Sequence, residues 1–193
     1  MKIGVCGTKG GSGKSTLAGL LALGLADAGR GVAVKDSDPQ KTLTEWMEEL
    51  ESPKVKRQGE WMRLGDSEVE IFIADFPPAS PDALLAMVGT EWDLLLVPCR
   101  PALADIWSIR SWLEKLQGYN GKVRLVMNAL DNSTFSRPEN LSRLLQAEGI
   151  KTPRTKASLS RRSCYAVSMG GGWDALDEKA KREVQSLALE VVR

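Results

Sequence analysis

The sequence predicts an α/β fold: a mostly parallel, twisted sheet with helices on both faces, in one domain over residues 1–193. Three observations predict it. Short apolar runs recur along the chain, segments with helical spacing lie between them, and the runs are continuous rather than alternating. Continuous runs suit strands that are covered on both sides, and strict strand–helix alternation favours parallel pairing.

The elements follow in order. Ile3-Gly4-Val5-Cys6 is the first run, and a helix over 14–29 follows it, closed by Gly29 and Gly31. Val32-Ala33-Val34 is the second, followed by a helix over 41–51. The third, Ile71 to Ala74, is halted by Pro77-Pro78 before a helix over 81–88. The fourth, Leu94 to Val97, stops at Pro98 and precedes a helix over 103–117. The fifth, Val123 to Met127, leads to helices over 138–148, 160–168 and 174–192. Ligands of such sheets sit at the carboxyl ends of the strands, so the residues just after each run carry the interest.

Composition narrows the function. At 42% hydrophobic and 26% charged, the chain is a folding sequence and not a disordered tail. His is absent, which excludes His-ligated metals and His-based triads. Cys6, Cys99 and Cys164 are scattered and form no CxxC, so a disulfide framework, a zinc site or an iron–sulfur centre is not expected. The start, MKIGVCGTKGG, has no leader pattern and no run is long enough to span a bilayer, so the expected compartment is the cytoplasm.

The strongest motif is Thr8-Lys9-Gly10-Gly11-Ser12-Gly13-Lys14-Ser15-Thr16, between a strand and a helix. Glycines let a backbone wrap a phosphate, and the helix N-terminus adds positive potential. In that context Lys14 is expected to reach the β- and γ-phosphates, Ser15 to ligate Mg²⁺, and Thr16 to touch the α-phosphate. Asp36 and Asp38, in Asp36-Ser37-Asp38-Pro39-Gln40, lie two residues apart at a strand end and so face the same crevice. Asp75 ends the third run, the Walker B arrangement, where a carboxylate meets the Mg²⁺ shell or the loop hydroxyl. Asn128, after the fifth run, offers both a donor and an acceptor to an adenine edge.

The loop departs from the strict GxxxxGK[ST] pattern, because Thr8 stands at its first position. What it matches is the deviant form KGGxGK[ST], and with Asp36-Ser37-Asp38-Pro39-Gln40 and Asp75-Phe76-Pro77-Pro78 the chain resembles the ParA/MinD family of P-loop ATPases. It looks most like the small plasmid-type ParA proteins without an N-terminal helix-turn-helix domain, a subgroup that Trp46 also fits. The resemblance implies the P-loop NTPase fold, ATP and Mg²⁺ as ligands, and slow hydrolysis of ATP unless a partner completes the site. It implies that Lys9 reaches the phosphates of a second copy in an ATP-dependent homodimer. It assigns Asp36 to the Mg²⁺ water shell, Asp38 to the attacking water, and Asn128 with Pro153 to the base. It further implies nonspecific DNA binding, nucleoid association, and a ParB-like or other small stimulating partner. The cargo would be a plasmid, a chromosome region or a protein assembly such as a carboxysome.

Charge is uneven along the chain. The net charge is +1, yet residues 151–173 hold Lys151, Arg154, Lys156, Arg161 and Arg162 and no Asp or Glu. These are the expected DNA contacts, through phosphate and without base specificity. The last helix carries one apolar stripe, Trp173, Leu176, Ala180, Val184, Leu187 and Val191, opposite a face of mixed sign. That pattern suits docking on the core better than a basic membrane helix, so no membrane partner is expected. Two alternatives remain, a MinD-like membrane switch and a metabolic enzyme on the same scaffold, such as a carboxylate- or amine-activating synthetase.

Overall fold

A computed structural model describes residues 1–51, 53–119, 121–131 and 137–193. The elements are β1 (Lys2–Val5), α1 (Lys14–Asp27), β2 (Val32–Asp36), α2 (Thr42–Glu48), β3 (Val55–Gln58), β4 (Trp61–Leu64), β5 (Ile71–Asp75), α3 (Pro81–Val88), β6 (Leu94–Cys99), α4 (Leu103–Lys115), β7 (Lys122–Met127), α5 (Pro138–Ala147), α6 (Cys164–Gly171) and α7 (Glu178–Val191). They build a seven-stranded sheet in the order β3-β4-β2-β5-β1-β6-β7. β2, β5, β1, β6 and β7 are parallel, as the sequence predicts.

The two sides of these strands bury different side chains. Ile3, Val5, Ile71, Ile73, Leu94, Leu96 and Val126 face a core formed with α1, α2, α6 and α7. Cys6, Ala74, Leu95, Val97, Leu125 and Met127 face a second core with α3, α4 and α5. Each fully buried Leu or Ile contributes roughly 1.5–3 kcal/mol, so two-sided burial is what holds the central strands.

α1 is covered nearly all round, with Leu17, Leu20, Leu21, Leu23 and Leu25 buried. Gly19 makes this possible: a Cβ there would lie 2.0 Å from the ring of Trp46. The Trp46 indole donates to the Ser168 carbonyl at 2.8 Å, fixing α2 to α6. Ala180, Val184, Leu187, Ala188 and Val191 of α7 are buried in the same core, so the apolar stripe of the last helix docks as expected.

Three expectations are corrected. The β3–β4 hairpin is not among the five expected strands, and it pairs antiparallel beside β2. Its polar sequence hides it: β3 is an exposed edge, and only Met62 and Leu64 of β4 turn inward. The helix expected over 160–168 is Cys164–Gly171 instead. The backbone before it is extended, because Leu130 N–H donates to the Leu159 carbonyl at 3.0 Å and Arg161 N–H to the Leu130 carbonyl at 2.6 Å. The last helix begins later than expected, at Glu178, where the Asp177 carboxylate accepts from the Lys179 and Ala180 N–H groups at 2.9 and 2.8 Å.

Candidate functional site

The loop between β1 and α1 lies at the carboxyl ends of the parallel strands. Gly13 has φ 93°, and a Cβ there would lie 2.1 Å from the Asn128 amide nitrogen, so the position admits only glycine. Nothing lies within 4 Å of a Cβ placed on Gly10 or Gly11, so the loop's outer side is open. Lys14, 5% exposed, turns into the loop and donates to the Lys9 carbonyl at 3.0 Å. The Ser12 hydroxyl donates to the same carbonyl at 3.3 Å. Asn128 Nδ2 donates to the Ser12 carbonyl at 3.1 Å, and the Arg100 guanidinium donates to the Gly11 carbonyl. Ser15 and Thr16 stand in the first turn of α1.

The carboxylates meet this loop from neighbouring strands. Asp75 pairs in register with Val5 on one side and with Asp36 on the other. Ser15 Oγ donates to Asp75 Oδ2 at 2.5 Å. The other oxygen, Asp75 Oδ1, is buried without a hydrogen-bond partner among the described residues. Burial, with the charges of Asp36 and Asp38, pushes the Asp75 carboxyl up to about 7 against the pull of Ser15 and Lys14. Asp36 accepts from the Asp38 and Thr44 N–H groups, both at 2.9 Å, and so ties the strand end to α2. Asp38 Oδ1 accepts from the Gln40 N–H at 3.0 Å.

Among the described residues, no group of three or more His, Cys, Asp or Glu side chains is placed to hold a metal alone. Mg²⁺ does not require one, since it is commonly held by one or two carboxylates with waters and phosphates. A hydroxyl against a buried carboxylate whose second oxygen is orphaned fits that demand, with Ser15, Asp75 and Asp36 as the residues concerned.

Two base-site residues fare differently. Asn128 reaches the phosphate loop, where Nδ2 bonds Ser12 and Oδ1 accepts from the Ala129 N–H at 2.7 Å. Pro153 does not join it. Its carbonyl accepts from Leu125 N–H at 2.9 Å, three residues back along the strand line, or about 10 Å at strand rise. The extended segment passing beside Asn128 is instead Leu159 to Arg161.

Lys9 is folded back onto α4, with Nζ donating to the Ala104 carbonyl at 3.3 Å and lying 3.6 Å from Asp105. The basic segment is also divided. Arg162 is consumed internally: it pairs with Glu183 at 2.6 Å and lies 3.8 Å from Asp177. Burial favours the neutral form of Glu183, but Arg162, Ser160 and Tyr165 outweigh it and hold the carboxyl below its ordinary value. Arg162 is thus a structural cation and not an open DNA contact, whereas Lys151, Lys156 and Arg161 are exposed. Arg154 donates to the Thr155 carbonyl at 3.2 Å and to Ser142 Oγ at 3.4 Å.

Neither Arg100 nor Asp105 is among the site residues that the sequence suggests, yet Arg100 bonds the phosphate loop and Asp105 lies beside Lys9. The available signal was the position of Arg100, immediately after a strand's carboxyl end.

The chain is similar to several known proteins over almost its whole length. Over a 212-residue alignment the chain is 24% identical to "Maintenance of carboxysome distribution protein A" of Halothiobacillus neapolitanus, covering 98% of this chain and 95% of the relative. A Cyanothece McdA variant solved as its ATP complex superposes with a TM-score of 0.71 at 16% identity, covering 100% of this chain and 96% of that one. The pNOB8 ParA bound to nonspecific DNA superposes with a TM-score of 0.65 at 14% identity, covering 100% and 97%. The family described as the CobQ/CobB/MinD/ParA nucleotide binding domain matches residues 3–170, which span the phosphate loop, all three carboxylates and Asn128, and this chain belongs to that family.

Proposed function

We propose that this chain is a ParA-like ATPase that binds Mg²⁺ and ATP, dimerises, holds DNA nonspecifically and positions a cargo. The observation that carries the reading is the Ser15–Asp75 hydrogen bond, with the orphaned Asp75 oxygen beside Asp36 and the buried Lys14 facing the same loop. Bound there with the triphosphate, Mg²⁺ would neutralise charge on the phosphoryl oxygens. Lys14 would exchange the Lys9 carbonyl for phosphate oxygens. The loop N–H groups and the start of α1 would orient the anion. Asp38 would hold the attacking water, and Lys9 would leave Asp105 to meet the phosphates of a second copy. Turnover would be slow until a small partner protein, ParB-like or otherwise, completes the site.

The relative named for carboxysome distribution favours a protein assembly as cargo over a plasmid or chromosome region, and a cytoplasmic, nucleoid-associated setting follows from the DNA cycle. The docked apolar face of α7 favours DNA over a membrane as the support surface. The test is sedimentation and DNA retention at moderate salt with ATP or ADP, each with Mg²⁺. The expected result is a dimer and retained DNA with ATP alone. Equal behaviour with both nucleotides would overturn the cycle.

A further inference from the structure

One cation at the phosphate loop has no part in the reading above. Among the described residues, two cationic side chains bond carbonyls of the loop, Lys14 to Lys9 and Arg100 to Gly11. Lys14 is buried inside the loop. Arg100 is exposed and stands just beyond the carboxyl end of β6. Asp36 and Asp75 reach the loop from β2 and β5, on the opposite side of β1. Arg100 therefore lies away from the carboxylates, at the edge of the loop that Lys9 occupies.

The surroundings of Arg100 show from which side an anion can reach it. The space between the loop and α4 is lined by Lys9, Cys99, Arg100 and Asp105, and its volume is about 20 Å³. That is room for about one water molecule and not for a phosphoryl group. At the loop's tip, in contrast, nothing lies within 4 Å of a Cβ placed on Gly10 or Gly11. Arg100 borders this open surface, and its present partner is a neutral carbonyl of the tip itself. A guanidinium binds phosphate oxygens through two charge-assisted hydrogen bonds, which are stronger than one bond to a carbonyl, so a phosphate arriving at the tip would displace Gly11.

We propose that Arg100 is a second crossing cation: in the ATP dimer it leaves the Gly11 carbonyl and binds the γ-phosphoryl oxygens held by the other copy. The proposal rests on the dimer reading above and adds a catalytic residue to it. In hydrolysis the water oxygen bonds the γ-phosphorus, the bond to the β–γ bridging oxygen breaks, and ADP leaves with that electron pair. One proton of the water stays on the released phosphate, and the other passes to solvent. Arg100 neutralises the charge that gathers on the phosphoryl and leaving oxygens, as an arginine supplied in trans does in other phosphoryl transfers. A single copy cannot supply it to its own nucleotide, which ties turnover to dimerisation.

The tests use the full chain with Mg²⁺ and ATP. Arg100→Ala should lower phosphate release at least about tenfold, while the chain still takes up ATP in calorimetry. An equal mixture of Arg100→Ala and Asp38→Ala should regain turnover, because a mixed dimer joins an intact Asp38 to an arginine from the other copy. With random exchange in a symmetric pair, half the dimers are mixed and one of their two sites works, so roughly a quarter of the parental rate returns. The same mixture made with Lys9→Ala is the reference for the crossing lysine. In sedimentation with ATP, adding Arg100→Ala to Asp38→Ala should weaken the dimer about tenfold. Unchanged phosphate release in Arg100→Ala, or an unchanged dimer, would overturn the proposal. So would a Lys9→Ala mixture that regains turnover while the Arg100→Ala mixture does not, since Arg100 would then serve its own loop. If neither mixture regains turnover, the crossing lysine falls together with Arg100. A parent protein that takes up no ATP sinks both readings.

Discussion

The two ends of the parallel strands treat positive charge in opposite ways. At the carboxyl ends, Lys14, Lys9 and Arg100 rest on backbone carbonyls at Lys9, Ala104 and Gly11. Those carbonyls occupy cations that a triphosphate would take over. At the amino end of β7, Lys122, Arg124, Lys156 and Arg193 line a groove and have no ion-pair partner among the described residues. The first arrangement suits a compact ligand held by converging donors, and the second the phosphate contacts of the proposed DNA reading. Net charge distinguishes neither, since +1 over the whole chain is nearly neutral; the carbonyl hydrogen bonds made in three dimensions do.

The comparison breaks most visibly at Lys14. Removing the buried ammonium with Lys14→Ala should lower ATP turnover by about 100-fold or more, measured as phosphate release. The amino-end groove should meanwhile keep the fold and charge it has in the parent, which circular dichroism and heparin retention would check. Retained turnover would show that the Lys9 carbonyl is the lasting partner of Lys14 and not a placeholder.

Packing between the two ends comes next. Gly19→Ala places a methyl against the Trp46 ring, where a Cβ would sit at 2.0 Å. Overpacking of this kind costs about 1–3 kcal/mol, visible as a lower midpoint in urea with an unchanged slope. An unchanged midpoint would mean that α1 and α2 separate without cost.

Arg162 sharpens the division among cations. Arg162→Ala should cost about 1–2 kcal/mol by leaving the half-buried Glu183 without its cation, yet it should change DNA retention far less than Lys156→Glu. The sign with pH follows from Glu183: its carboxyl is held low in the folded protein, so its stabilisation is present above the unfolded value near 4.5 and is lost as pH falls below it. Arg162→Ala should flatten that acid limb, and an unaltered limb would remove Glu183 from the account.

A pH test at the site itself concerns Asp75. Its folded value is raised to about 7 from an ordinary value near 3.8, so the folded state binds the extra proton. Without nucleotide and metal, stability should therefore fall as pH rises from about 4 to about 7. Asp75→Asn, which keeps an oxygen to accept from Ser15, should abolish the slope; denaturation midpoints across that range would show it.

Much of the carboxyl-end site is legible in the sequence, because its chemistry is local. Gly10 to Thr16 are contiguous, and Asp36 and Asp75 each close an apolar run, so parallel pairing alone brings them side by side. The amino-end groove is legible only in part: Arg154 and Lys156 fall in the basic segment of the sequence, but Lys122, Arg124 and Arg193 join them only in the folded chain. Arg162 fails for the same reason: its partner Glu183 lies on α7, and sequence proximity to Arg161 says nothing of it. Pro153 fails because strand register, not order along the chain, places Leu159 to Arg161 beside Asn128. The β3–β4 hairpin escapes because its exposed outer strand leaves no apolar run to read.

The central claim is that Ser15 and Asp75 form half of a site completed by Mg²⁺ and ATP. Isothermal titration of ATP, with Mg²⁺ and with EDTA in its place, into the parent and into Ser15→Ala tests it most directly. The account predicts strong Mg²⁺-dependent uptake by the parent and loss of that dependence in Ser15→Ala. Uptake by the parent that is equally strong in EDTA, or identical metal dependence in the two proteins, would contradict it.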